Sequence, residues 1–171
     1  MNLRKILKWL EAKLGGQSMP NLKKPEVVEI EVIVTPDVND PCNISFSFPT
    51  KNSGKIKHWK DIKTGLYYVS FENGGADGFI VLFNIEDDNG TGCRFHADPA
   101  KAMYCHGQAS CPPPNNSSWG KFLPIGVINQ GRTLIVYNKN DLPHDFGFML
   151  RFTTTNCGDK EFDPIGKDMN G

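Results

Sequence analysis

No stretch of the 171-residue chain approaches the ~20 consecutive apolar residues that a membrane-spanning helix needs. The N-terminus does not read as a secretory signal, because lysines and a glutamate interrupt what should be one apolar run and no small-residue cleavage site follows. Net charge is missing too: Lys plus Arg and Asp plus Glu each number 19, so no long-range field draws the chain toward nucleic acid. Catalytic signatures are equally scarce. There is no GxSxG elbow, phosphate loop, dinucleotide fingerprint or HExxH pair. The adjacent carboxylates Asp87 and Asp88 sit in DDNG, which reads as a hairpin turn rather than as acid and base. Together these absences point to a soluble, non-enzymatic protein with no nucleic-acid partner.

An even set of cysteines is also absent. The five, Cys42, Cys93, Cys105, Cys111 and Cys157, fit reduced thiols better than a complete disulfide framework, and a cytoplasmic location follows as the expectation. In that compartment the acceptor-like triplets at Asn43, Asn89, Asn115 and Asn116 carry no glycan.

What the chain does have is length for one domain, which at this size buries roughly 70% of its unfolded surface, and a change of hydrophobic period near residue 26. From Glu26 the period is two. Val28, Ile30, Val32 and Val34 alternate with Glu29 and Glu31, and Ile44, Phe46 and Phe48 alternate with Ser45 and Ser47. Similar runs lie at 66–71, 78–85, 133–138 and 146–152, separated by Gly- and Asn-rich turns. No helix-length pattern lies between them, so the expected fold is mainly β: an antiparallel, jelly-roll-like β-sandwich over residues 26–171, preceded by an amphipathic helix (1–16) and a linker (17–25). Phe162 and Ile165 mark the closing segment as one that packs against this domain.

The interval 93–119 breaks the pattern and reads as a long irregular loop. Its piece DPAKAMYCH can form a helical turn with Asp98 as cap and Pro99 in the first position. The loop also concentrates ligand-type side chains. Cys93, His96, Cys105 and Cys111 are the donors a zinc ion would take, although only Cys93 and His96 have the usual pair spacing. Ordinary buried thiols, or a Cys105–Cys111 disulfide, explain the same residues. A metal-binding protein or metal-dependent enzyme built on 93–111 is therefore the alternative reading.

Aromatic residues can mark carbohydrate or other ligand surfaces on such frames. Of Trp59, Tyr67, Tyr68, Trp119 and Tyr137, the turn-flanking Trp59 and Trp119 are the two expected to be exposed.

The most distinctive feature is LRKILKWLEAKLGG. At about 100° per residue Leu3, Ile6, Leu7, Leu10 and Leu14 share one arc, Trp9 stands at its edge, and Lys5 and Lys8 face away. Arg4, Lys5, Lys8 and Lys13 against Glu11 leave this segment a net +3. Such a helix is marginal in water by itself, so its arc must meet an apolar surface. That surface can be the chain's own domain, a protein partner or second copy, or an anionic membrane to which the protein binds peripherally. The leading expectation is an interaction module assembled or tethered through residues 3–14.

Overall fold

The computed structural model describes residues 8, 25–49, 54–72, 78–112, 122–139 and 144–168. Within them the chain is mainly β, arranged as two sheets. The first holds β1 (Glu26–Pro36), β2 (Ile44–Ser47), β5 (Phe79–Glu86), β8 (Phe122–Ile128) and β9 (Thr133–Asn138) in the order β2-β1-β5-β9-β8. The second has the path β11-β10-β12-β4-β3, formed by β3 (Ile56–Lys60), β4 (Tyr67–Phe71), β10 (His144–Thr153), β11 (Asp159–Phe162) and β12 (Ile165–Asp168). On the free side of β10 two short strands are added, β6 (Arg94–Phe95) and β7 (Met103–His106).

One apolar cluster draws on both sheets, and it follows the period-two faces. Val28, Ile30, Val32 and Val34 of β1 meet Phe79, Val81, Phe83 and Ile85 of β5 and Phe146, Phe148, Leu150 and Phe152 of β10. Rings lock the sheets together: Phe46 stacks on Phe152 with centroids 4.5 Å apart, and Phe83 meets Phe148 at 5.7 Å. Contacts of this kind add to the area that each ring removes from water.

Antiparallel pairing dominates, but the expectation of a wholly antiparallel domain is corrected in two places. β1 runs parallel to β5 through eight registered pairs, Glu26↔Phe79 to Ile33↔Glu86, and β12 runs parallel to β4. Parallel neighbours usually require a helical crossover. Here the connection from β1 to β5 passes through β2 and then through β3 and β4 of the other sheet, so strands take the place of the helix.

The interval 93–119 is less irregular than its sequence suggests. A single helical turn, α1 (Pro99–Ala102), forms where expected, with the Asp98 carboxylate accepting the Ala100 N–H at 3.0 Å and Pro99 opening the turn. β6 and β7 flank it and both pair with β10. The closing segment also goes further than a cover, since β12 is inserted between β10 and β4 and buries Ile165.

The expectation of five reduced thiols is corrected. Cys42, in the turn after β1, is disulfide-bonded to Cys157, in the turn after β10, with Cα atoms 5.1 Å apart across 115 residues of sequence. Only the folded arrangement brings these two turns together, and an odd count of cysteines cannot reveal one such pair. The inference of a reducing compartment thereby loses its premise, because bonds of this type persist mainly under oxidising conditions. No helix among the described residues is long and apolar enough to cross a membrane.

Candidate functional site: an aromatic cleft between two sheet edges

β2 ends the first sheet and β3 ends the second, so each offers an edge. Between these edges lies a cleft of about 500 Å³. Ser47, Phe48 and Pro49 line it from the β2 side, and His58, Trp59, Lys60 and Tyr67 from the β3–β4 hairpin.

Strand alternation sets the roles of these residues. On β3, Ile56 and His58 turn inward while Lys57 and Trp59 turn outward. His58 is held in the floor against Phe48, with ring centroids 5.9 Å apart, and the Tyr67 ring meets Phe48 edge-on at the same separation. Trp59 is 41% exposed, a large apolar surface to leave in water. It is held flat by its cross-strand neighbour: Trp59 pairs with Tyr68, and the two rings stack at 5.2 Å with planes 8° apart. Cross-strand ring pairs of this kind fix both side chains at small entropic cost. Lys60 Nζ lies 5.2 Å from the Tyr67 ring centre, which adds a cation at the mouth of the cleft.

The arrangement offers a ligand the exposed Trp59 ring together with the Ser47 hydroxyl and the Lys60 ammonium group. Among the described residues, none that lines the cleft is acidic.

The four sequence-derived zinc donors, Cys93, His96, Cys105 and Cys111, do not form one cluster among the described residues. Among the described residues no group of three or more His, Cys, Asp or Glu side chains could hold a metal. Cys93 lies buried where the β5–β6 turn closes, and burial followed by the nearby Asp87 carboxylate pushes its thiol up to about 12. His96 faces Asp159 at 3.6 Å. Cys105 points to the β8 side and donates to the Phe122 carbonyl at 3.0 Å. Cys111 stands beside Asp163, its thiol raised to about 11 by desolvation and by that carboxyl group. The four donors thus face four different neighbours. Asp87 behaves as a turn residue: its carboxylate accepts the N–H groups of Thr91, Gly92 and Cys93 at 3.0–3.3 Å.

Of the residues expected to engage a partner or membrane, Leu3, Lys5, Ile6, Leu7, Trp9, Leu10 and Leu14 lie outside the described residues, as does Trp119. Lys8 is helical and exposed. The sequence singled out Trp59 by its flanking turn, but it gave no sign that Ser47 and Phe48, from the other sheet, share its site.

No protein-family model matches the chain, and no curated protein is significantly similar to it.

Proposed function

We propose that this protein is a non-enzymatic binding module on a β-sandwich frame, and that it takes a saccharide ring in the cleft between β2 and β3. One observation carries the reading. Trp59, half exposed, is braced flat on Tyr68 at the rim of a cleft whose other walls supply hydroxyl and ammonium groups. A pyranose has an apolar C–H face suited to an aromatic plane and hydroxyls suited to Ser47 and Lys60. Two sheets that share one core support the sandwich reading of the frame.

The test is a titration of the full chain with a panel of mono- and oligosaccharides, followed by tryptophan emission and by ligand-observed NMR. At least one sugar should saturate, and Trp59→Ala should weaken it by ten-fold or more while leaving the far-UV spectrum intact. Failure of every sugar to bind, or binding unchanged in Trp59→Ala, overturns the reading.

A further inference from the structure

The outer face of the first sheet carries a second apolar cluster, separate from the core. Ile80 and Leu82 of β5 and Ile135 of β9 are 0%, 6% and 0% exposed, although they point away from the residues that fill the core. Among the described residues, the side chains packed beside them are Val27, Ile125, Ile128 and Tyr137, all of the same sheet. Neighbours within one pleated face shield each other from the sides but not from above. Complete burial therefore requires a cover from outside the sheet.

We infer that residues 3–14 of the same chain are that cover, docked through Leu3, Ile6, Leu7, Leu10 and Leu14 on the face formed by Ile80, Leu82 and Ile135. Three observations select this occupant. The first is position. The segment joins the sheet at Glu26, whose N–H donates to the Gly78 carbonyl at 3.1 Å, so the chain enters at the end of β1 and β5 where Val27 and Ile80 stand side by side. The second is size. A helix over residues 3–14 is about 18 Å long, and four strands at about 4.8 Å spacing present a face roughly 14 Å across. The ten residues 15–24 reach up to about 35 Å, more than enough to lay the helix over any part of it. The third is charge. Beyond the apolar rows the same outer face carries the exposed carboxylates Glu29, Glu31 and Glu86, which complement the net +3 of the segment.

Connection also favours the same chain over a second copy. A short flexible linker holds its ends at an effective concentration in the millimolar range, well above ordinary protein concentrations.

The test uses the full chain with p-benzoylphenylalanine in place of Tyr137, produced as a mixture of unlabelled and ¹⁵N-labelled protein, photolysed and mapped by mass spectrometry. Crosslinks to residues 1–16 within chains of a single isotope support the inference. Mixed-isotope links mean that a second copy is the occupant, links to 113–121 mean that the Trp119 segment covers the face, and no link to either means that neither does; each overturns it. A second variant guards against misfolding of the first. Leu7→Glu with Leu10→Glu should lower the melting temperature of a monomer by several degrees and raise 8-anilinonaphthalene-1-sulfonate fluorescence several-fold. Unchanged melting and dye fluorescence overturn the inference, as does salt-insensitive binding of the unaltered chain to phosphatidylserine vesicles, which requires the leucines to insert.

Discussion

Replacing Cys42 and Cys157 together by Ser removes the covalent tie between the two sheets without leaving a single reactive thiol. The bond closes 115 residues. In the chain-entropy description, opening such a loop returns about 16 cal/mol/K to the unfolded ensemble, or about 4.8 kcal/mol at 25 °C. Small domains hold only about 5–15 kcal/mol in all, so the double variant should lose a third or more of its stability. Its melting temperature should fall on the order of 10–20 °C. Chemical denaturation checks this, with a lower midpoint and a steeper dependence on denaturant expected, since the unfolded chain becomes less confined. The near-UV spectrum should hardly change, because the effect acts on the unfolded state. Denatured protein kept from reduction should show three free thiols, Cys93, Cys105 and Cys111. A stability loss below about 1 kcal/mol, or five free thiols, would refute the reasoning.

Phe148→Ala should cost about 3–5 kcal/mol in equilibrium unfolding, because Phe148 is 0% exposed and its ring contacts Phe83 and Phe122. Gly147→Ala should destabilise by roughly 1–3 kcal/mol through overpacking, since an added methyl group collides with the Ser110 carbonyl; differential scanning calorimetry tests it. Asp163 has its carboxyl pKa raised by burial, so its contribution favours the fold when protonated and is lost as pH rises through the folded-state value. Asp163→Asn should therefore raise the denaturation midpoint at pH 7, with a gain that shrinks as the pH falls below that value. A gain constant with pH would show that the charge is not the cause.

Much of the frame was legible because its strands keep apolar residues on one face. β1, β2, β9 and β10 fall where Val28–Val34, Ile44–Phe48, Leu134–Val136 and Phe146–Phe152 place them. Four of the strands that escaped notice have a clear physical reason. β3 puts His58 on its inner face, β7 is buried on both faces along Met103–Cys105, and β8 is interrupted by Pro124 and a shift of register. In β12 the inner position is Gly166, whose missing side chain is replaced by the Phe146 ring, so no apolar period exists to be read. The parallel pairings and the disulfide join residues far apart in sequence, and the cleft joins the edges of two different sheets. Local pattern carries no information about them.

The place of β12 bears on how the protein is made. Residues 165–168 pair with β4 on one side and β10 on the other, so the β3–β4 hairpin joins the rest of its sheet only when that strand arrives. Between Phe71 and Ile165 lies a stretch that a ribosome takes on the order of 5–20 s to translate at roughly 5–20 residues per second. During that interval β4 presents a bare edge of N–H and C=O groups beside Val69 and Phe71. Loss of β12 should therefore leave a protein prone to aggregate edge to edge rather than one that merely melts earlier.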